Sequence, residues 1–154
     1  MEKFLVVYPD LCTGCRLCEA ACSYRHEGVY SPSLSRIRVV RFEDRCLSVP
    51  VVCSYCEQPP CEASCPTGAM SAAPDGRYAL VREDRCIGCK ECVHACPLGA
   101  VHLHPRSGVA IRCDLCRGDP ECVKVCTAGA LRYEPLEAAV REKRRARAAS
   151  LNPA

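Results

Sequence analysis

Cysteines are the residues of this chain whose type and spacing could do chemistry. Seventeen of the 154 residues are cysteine, and a thiolate is a soft ligand that suits zinc, copper(I) and iron–sulfur centres. Sixteen of them fall into four groups of four, called quartets one to four below. In chain order, the quartets are Cys12, Cys15, Cys18 and Cys22; Cys53, Cys56, Cys61 and Cys65; Cys86, Cys89, Cys92 and Cys96; and Cys113, Cys116, Cys122 and Cys126. Such repetition indicates that metal-binding units organise the whole chain.

The spacing within the quartets points to one kind of centre. Quartets one and three have the spacing C-x2-C-x2-C-x3-C, which is the bacterial run of ligands for a [4Fe–4S] cluster. Quartets two and four have two and three additional residues before the third cysteine. In proteins with paired clusters, the fourth cysteine of a run binds the neighbouring cluster. The spacing therefore predicts [4Fe–4S] clusters with sixteen cysteine ligands.

Two other interpretations of a cysteine-rich chain explain less of the sequence. A disulfide scaffold suits secreted domains, but the cysteine number is odd, and Met1–Tyr8 lacks the apolar core of a signal peptide. A zinc-binding interaction module takes four ligands per ion. Zinc leaves unexplained why a third cysteine accompanies each C-x2-C pair and a fourth follows three residues later. A brown protein would contain clusters, whereas a zinc protein would be colourless.

Cys46 is the seventeenth cysteine. It ends the segment Glu43–Cys46, whose sequence Glu-Asp-Arg-Cys also opens quartet three, yet no second cysteine follows at the right interval. A cysteine outside a ligand set usually behaves as a small buried apolar residue. We therefore predict that Cys46 is a buried free thiol and not a cluster ligand.

The charge of the protein depends on the clusters. The formal net charge of +3 assumes neutral thiols, whereas a [4Fe–4S] cluster with four thiolates carries about −2. Four clusters would make the protein acidic by about five charges, so a basic nucleic-acid surface is not expected. Five arginines near cysteines could offset this charge or simply be solvated: Arg16, Arg45, Arg85, Arg112 and Arg117. No apolar run is long enough for a membrane span.

Short strands and helices are expected to position the quartets. Gly88, inside quartet three, should let the backbone pass close to a cluster. A helix is expected over Cys15–Arg25, a second short helix at Cys61–Ser64, and a turn at Pro74–Gly76. The predicted strands are Lys3–Val7, Ser35–Val40, Leu47–Val52, Tyr78–Arg82, Val101–His104, Val109–Ile111 and Leu131–Tyr133. The repeat of strand, quartet and strand predicts an α+β fold of two tandem two-cluster domains, followed from Pro135 by a basic helical tail.

Quartets two and four carry a resemblance to a known family. Val52–Cys61 and Arg112–Cys122 resemble the matching stretches of four-cluster ferredoxin-type electron-transfer subunits. Such subunits accompany molybdenum or tungsten pterin oxidoreductases, some hydrogenases and formate hydrogenlyase complexes. The resemblance covers residues 1–133 and implies four [4Fe–4S] clusters. Because every quartet is complete, no iron is left open for a substrate, and no residue is expected to be catalytic.

In that family the first quartet pairs with the fourth and the second with the third. For this chain the resemblance implies four ligand sets, numbered as clusters 1 to 4: Cys12, Cys15, Cys18 and Cys126; Cys113, Cys116, Cys122 and Cys22; Cys53, Cys56, Cys61 and Cys96; and Cys86, Cys89, Cys92 and Cys65. It also implies a nested arrangement, in which residues 1–45 and 105–133 form an outer bacterial ferredoxin-like domain and residues 46–104 an inner one. Residues 134–154 are the tail. Proline follows the last cysteine in quartets two and three only, which agrees with this pairing.

The resemblance also implies a partner. The run His26–Ile37 looks closest to small iron–sulfur subunits that accompany tungsten aldehyde oxidoreductases. The expected partner is thus a larger catalytic subunit in the cytoplasm. Alternatives are a subunit of a hydrogenase, formate hydrogenlyase or CO dehydrogenase system, or a free-standing polyferredoxin. The basic tail is expected to dock on the partner or on a further copy of this protein.

Overall fold

The computed structural model describes residues 3–73 and 79–151. Within these residues, eight strands form four antiparallel two-stranded sheets. The strands are β1 Lys3–Val7, β2 Arg38–Phe42, β3 Leu47–Val51, β4 Met70–Ala72, β5 Ala79–Val81, β6 His102–Leu103, β7 Ala110–Ile111 and β8 Leu131–Pro135. The α-helices are α1 Leu17–Glu27, α2 Pro60–Ala63, α3 Glu91–Ala95, α4 Glu121–Lys124 and α5 Leu136–Leu151. The small mixed fold expected from the sequence is confirmed.

Most predicted elements are present with slightly different ends. The strand β1 has the predicted bounds, and β3 ends at Val51, one residue earlier than predicted. The helix α1 ends at Gly28, whose φ of 69° is the left-handed conformation that closes many helices. The turn predicted at Pro74–Gly76 lies outside the described residues.

The sheet pairing brings the two ends of the chain together. Strand β1 pairs with β8, from Lys3 opposite Pro135 to Val7 opposite Leu131. The other three sheets are hairpins of consecutive strands: β2 with β3, β4 with β5, and β6 with β7. Helix α1 packs against α4, and α2 packs against α3. The helices of quartets one and four are therefore neighbours, and so are those of quartets two and three.

Two of the hairpins cross the domain boundaries suggested by the sequence. The boundary at residues 45/46 falls in the turn between β2 and β3, and that at 104/105 falls between β6 and β7. Each of these hairpins therefore takes one strand from the outer and one from the inner segment. The two segments therefore share these two sheets.

The buried core is small and rich in cysteine. Ile37 is only 1% exposed and is the largest side chain that is fully buried. The larger packed cluster surrounds it with residues from both segments: Cys18, Cys22, Val39, Val52, Cys53, Ala100, Cys113, Cys122 and Leu131. Because the chain has no tryptophan and two phenylalanines, few large apolar side chains are available to hold the fold. Cysteines occupy positions in this core that such residues would fill elsewhere.

A buried carboxylate ties α1 to β2. Glu19, between two cysteines of quartet one, is 3% exposed. Its Oε1 accepts a hydrogen bond from the backbone N–H of Val39 at 2.7 Å, and Nε of Arg16 lies 3.7 Å from Oε2. The contact holds the β2–β3 hairpin over quartet one.

The C-terminal tail is helical, as predicted, and its first turns pack on the body. Ala139 of α5 is buried, and the Nη1 of Arg132 in β8 donates to Oε2 of Glu142 at 2.6 Å. Leu136 and Val140 remain exposed. Among the described helices, none is long and apolar enough to cross a membrane.

Glycines let the hairpins approach the quartet loops closely. Gly88 has a φ of 67°, and a Cβ at this position would lie 2.9 Å from the carbonyl oxygen of Gly108 in the turn between β6 and β7. Gly14 in quartet one has a φ of 70°, and a Cβ there would meet Oγ of Ser48 at 2.6 Å. The structure thus adds a reason for Gly88 beyond the one drawn from sequence, because the hairpin backbone occupies the space of a side chain.

The substitution Gly88→Ala tests this contact. It should cost about 1–2 kcal/mol for the left-handed conformation and about 1–3 kcal/mol more for the clash with Gly108. Gly99→Ala is the matched control, because Gly99 has a φ of 61° and a Cβ added there would have nothing within 4 Å. The temperature at which the visible absorbance bleaches should fall further for Gly88→Ala, by roughly 2–4 °C per kcal/mol. Equal losses in the two variants would contradict the packing argument.

Candidate iron–sulfur sites

Two cavities are each lined by four cysteines. Site 1 has apolar lining residues that include Val39, Pro50 and Leu131, and its sulfur ligands would be Cys12, Cys15, Cys18 and Cys126. Site 4 is lined by Met70, Val81 and Ala110 among others, and its cysteines are Cys65, Cys86, Cys89 and Cys92. In each cavity three cysteines come from one quartet and the fourth comes from another quartet.

Two further groups of cysteines do not line these two cavities. At site 2, burial raises the pKa of Cys122, and the neighbouring Cys113, Cys22 and Cys116 raise it further. At site 3, burial and the nearby Cys53 and Cys96 raise the pKa of Cys61, whereas Arg112 lowers it. The remaining expected member of site 3, Cys56, is exposed and lies three residues beyond Cys53.

The loops that carry the cysteines have two forms. In quartets one and three a glycine directly before the second cysteine has positive φ, and so does the residue after that cysteine, Arg16 or Lys90. In quartets two and four the position of the glycine is taken by Tyr55 and Leu115, each with a φ of 53°. This conformation is costly for a side-chain-bearing residue. The hydroxyl of Tyr55 donates to the carbonyl oxygen of Cys113 at 3.1 Å, which helps to hold it.

Backbone N–H groups point at several cysteine sulfurs. The Sγ of Cys22 accepts from the N–H of Arg36 at 3.3 Å, that of Cys96 accepts from Ala100 at 3.4 Å, and that of Cys86 accepts from Ala110 at 3.4 Å. Hydrogen bonds to sulfur stabilise the thiolate form and help to set the reduction potential of a bound cluster. The donors come from strands or strand entries, so the hairpins support the ligands directly.

Burial keeps several of the thiols neutral in the absence of metal. It raises the pKa of Cys18 to about 12, that of Cys113 to about 12 and that of Cys92 to about 11. Metal ligation requires the thiolate, so the positive charge of the metal must offset the cost of burying the negatively charged sulfur. Four sulfurs around one cavity, apolar walls and N–H donors fit a [4Fe–4S] cluster held by four cysteines.

His26 lies at site 2, although the sequence pointed to it only as the first residue of the His26–Ile37 run. Its Nε2 lies 3.3 Å from Oδ1 of Asp114 and 3.8 Å from Sγ of Cys116. Burial alone would lower the pKa of His26, but Asp114, Cys116 and Cys22 raise it well above its ordinary value. Its ring in turn lowers the pKa of Cys22 against the effect of burial. The spacing of four residues from Cys22 on one helix face is the signal that could have indicated this contact.

The ligand atoms of His26, Asp114 and Cys116 lie within 4.8 Å of one another, a distance that would suit a bound metal ion. Cys116 is, however, an expected ligand of cluster 2. The group is best described as the edge of site 2, where a histidine and a carboxylate contact a ligand sulfur.

The prediction that Cys46 is buried was wrong. Its side chain is exposed, and its backbone is left-handed, with a φ of 49°, in the turn between β2 and β3. Cys46 therefore lies at the tip of a hairpin and not in the packed core. Of the five arginines noted in the sequence, four are exposed, and Arg112 is 6% exposed.

Comparison with protein-family models gives a direct assignment. A model described as a 4Fe-4S dicluster domain matches residues 45–136, which is more than half of the chain. The chain belongs to the 4Fe-4S dicluster domain family. A model of a 4Fe-4S binding domain also matches residues 9–25, around quartet one.

Relatives of this dicluster protein are electron-transfer proteins. It is 42% identical over 110 residues to the polyferredoxin-like subunit of an aliphatic sulfonate oxidoreductase from Pyrococcus furiosus, a match that covers 71% of this chain and 63% of that subunit. It is 38% identical over 122 residues to the putative electron transport protein YsaA of Escherichia coli, which covers 73% of this chain and 75% of that protein. The chain therefore spans between three fifths and three quarters of these relatives.

A solved structure shares the fold. The active site complex BamBC of benzoyl coenzyme A reductase contains a chain with 30% sequence identity and a TM-score of 0.51, and the match covers 96% of this chain and 89% of that one. Together with the relatives, this confirms the prediction of an iron–sulfur electron-transfer subunit with ferredoxin-like dicluster domains and several [4Fe–4S] clusters.

Proposed function

We propose that this dicluster protein carries electrons along four [4Fe–4S] clusters, to or from a larger catalytic oxidoreductase subunit. The observation that carries the proposal is the pair of cavities that are each lined by three cysteines of one quartet and one cysteine of another. The second cysteines of sites 1, 3 and 4, which are Cys15, Cys56 and Cys89, are exposed, whereas Cys22, Cys113 and Cys122 of site 2 are buried. A bound [4Fe–4S] cluster takes up and releases one electron at a time.

The residues support a row in the order site 1, site 2, site 3 and site 4. Cys18 at site 1 lies close enough to raise the pKa of Cys122 at site 2. In the same way, Cys53 at site 3 raises the pKa of Cys113 at site 2. Cys61 of site 3 and Cys92 of site 4 belong to one packed cluster. In this order sites 1 and 4 are the two ends, and their exposed cysteines, Cys15 and Cys89, would lie where partners exchange electrons with the chain.

For the ligands we propose the crossed sets. Cys126 would complete cluster 1, Cys22 cluster 2, Cys96 cluster 3 and Cys65 cluster 4. The cavities at sites 1 and 4 and the cysteine neighbours at sites 2 and 3 support this assignment.

For the domains we propose the nested arrangement in a modified form. The outer unit contains quartets one and four with the β1–β8 sheet, and the inner unit contains quartets two and three with the β4–β5 hairpin. The hairpins β2–β3 and β6–β7 join the two units, because each has one strand from either side. This interlocking would fix the distance between site 2 and site 3.

For the partner we propose a tungsten or molybdenum pterin subunit in the cytoplasm, of the kind that four-cluster electron-transfer subunits accompany. Two of the similar proteins are named as parts of larger oxidoreductases, one for aliphatic sulfonates and one for benzoyl coenzyme A. An aldehyde oxidoreductase partner is the specific form that the His26–Ile37 run favours. Purification of the native protein under anaerobic conditions, followed by mass spectrometry and metal analysis, would identify the larger subunit.

Iron and sulfide content tests the proposal as a whole. Protein prepared without oxygen should contain about sixteen iron and about sixteen sulfide per chain, because each cluster holds four of each. Iron is measured by mass spectrometry and sulfide by a colorimetric assay. About eight iron together with zinc would contradict the row of four clusters.

The crossed ligation predicts which pairs of cysteine substitutions lose more iron than a single substitution does. Cys96→Ala should remove one cluster and leave about twelve iron, since its sulfur is assigned to cluster 3. Adding Cys61→Ala should remove no further iron, because both residues would serve the same cluster. Adding Cys92→Ala should leave about eight, because Cys92 would serve cluster 4. The opposite pattern would mean that quartet three closes on its own cluster, and Cys46→Ala is the control that should lose nothing.

The tail predicts a contribution to assembly through charge. Because Ala139 is buried and Glu142 pairs with Arg132, the test deletes only residues 143–154, which include Lys143, Arg144 and Arg145. The truncated protein should keep its iron but bind the partner subunit, or a second copy, more weakly at low salt. The difference should shrink at high salt, because screening weakens attraction between the basic tail and an acidic surface. Unchanged binding in sedimentation or calorimetry would show that the tail does not dock.

A further inference from the structure

Arg112 is a buried cation beside the cysteines of site 3. It directly follows β7 and directly precedes Cys113, the first cysteine of quartet four. Its side chain is 6% exposed, and its Nη1 donates to Sγ of Cys61 at 3.2 Å. The Nε is buried and has no hydrogen-bond partner. The guanidinium therefore reaches from a strand of site 2 to the ligands of site 3.

A guanidinium in this position needs a negative charge nearby. Burying a charge is costly unless an opposite charge compensates it, and across residues 3–73 and 79–151 no carboxylate forms an ion pair with Arg112. Its charged neighbours are sulfurs. The Sγ of Cys61 accepts a hydrogen bond from Nη1 of Arg112 at 3.2 Å, and Cys53 also lies close to the guanidinium. Neutral thiols could not compensate the guanidinium, whereas a cluster held by four thiolates could.

The surroundings place Arg112 at the junction of the two units. Tyr55, directly before Cys56, donates its hydroxyl hydrogen bond to the carbonyl of Cys113, directly after Arg112. Tyr55 also lies near the sulfurs of Cys53 and Cys113. Tyr55, beside the ligands of site 3, thus reaches toward site 2. Arg112, beside a ligand of site 2, reaches toward site 3, where its guanidinium contacts the sulfur of Cys61.

We propose that Arg112 raises the reduction potential of the cluster at site 3 by holding a permanent positive charge and an N–H donor against its cysteine sulfurs. The inference rests on the proposed function, because it requires a cluster held by Cys53, Cys56, Cys61 and Cys96. Arg112 is a positioning residue in this scheme. It contacts ligand sulfur and takes no part in substrate chemistry.

The direction of the effect follows from charge. A one-electron reduction, with the electron supplied by the external reductant, changes the charge of such a cluster from about −2 to about −3. A fixed positive charge stabilises the more negative state. A hydrogen bond to a ligand sulfur acts in the same direction, because the reduced cluster places more negative charge on its sulfurs. Loss of the guanidinium should therefore make site 3 harder to reduce.

The test is an anaerobic redox titration of the full chain with all clusters bound, followed by electron paramagnetic resonance. Arg112→Gln removes the charge and keeps an amide donor, and Arg112→Lys keeps the charge without the planar fork. Arg85→Gln is the matched control, because Arg85 also directly precedes the first cysteine of a quartet but is exposed. Cys56→Ser marks the signal of site 3, because it changes one ligand atom of that cluster alone.

The expected result concerns one signal among four. In Arg112→Gln the signal marked by Cys56→Ser should shift to lower potential, so that at fixed potential the ratio of reduced to oxidised cluster falls at least tenfold. A tenfold change corresponds to about 59 mV for a one-electron couple. Arg112→Lys should show a smaller shift in the same signal, and Arg85→Gln should match the unmodified protein. Iron content near sixteen in each variant keeps this result separate from the proposed function itself.

Three results would overturn the proposal while leaving the four-cluster assignment intact: no shift in Arg112→Gln, an equal shift of all four signals, or the same shift in Arg85→Gln. If Arg112→Gln does not hold four clusters, Arg112→Lys decides the question. A downward shift of the marked signal in the lysine variant supports the proposal. Unchanged potentials there would mean that Arg112 only helps the chain to fold, and the proposal would be wrong.

Discussion

The structure depends on the need to bring thiolate sulfur into the interior of a small protein. Buried thiols resist ionisation, as the raised pKa of Cys18 and Cys92 shows, and a metal centre is what makes the thiolate state favourable there. With two phenylalanines and no tryptophan in 154 residues, little apolar surface is available to hold the fold otherwise. Folding and cluster binding are therefore expected to be one equilibrium, and the hairpins serve mainly to bring sulfurs together.

Contacts between the hairpins and the quartet loops explain how such short strands can support the cysteine sites. Strand pairs such as β6–β7 contain only two residues on each side, and isolated hairpins of that size are unstable. The β6–β7 hairpin, however, also contacts quartet three, through Gly108 against Gly88 and through the N–H of Ala110 on Cys86. The β2–β3 hairpin contacts quartet one through Ser48 against Gly14. The ligand loops and the hairpins thus stabilise each other. Sharing β2–β3 and β6–β7 between the two units extends this mutual support across the whole chain.

The charged side chains differ among the four sites. The cavities at sites 1 and 4 have mostly apolar linings with one exposed cation each, Arg16 and Lys90, whereas buried or half-buried polar groups lie against the sulfurs of sites 2 and 3. His26 and Asp114 lie at site 2, and Arg112 lies at site 3. Since local charge and hydrogen bonds to sulfur set cluster potentials, a chain with similar ligands at every position can still give its clusters different potentials. This is the physical basis for directing electrons through a row of otherwise similar centres.

The sequence by itself indicated which cysteines are expected to be ligands, because three cysteines within seven residues in quartets one and three, and within ten in the other two, are spaced to wrap around one small centre. It also indicated the short strands, the α1 helix and the basic tail, because these are local patterns. The tertiary structure alone decided which distant side chains meet. No local spacing brings Cys96 beside Cys61, His26 beside Asp114, or Arg112 beside Cys61. It also decided burial, which is a property of the packed chain: Cys46 is exposed on a hairpin tip, while Arg112, one of five similar arginines in sequence, is enclosed.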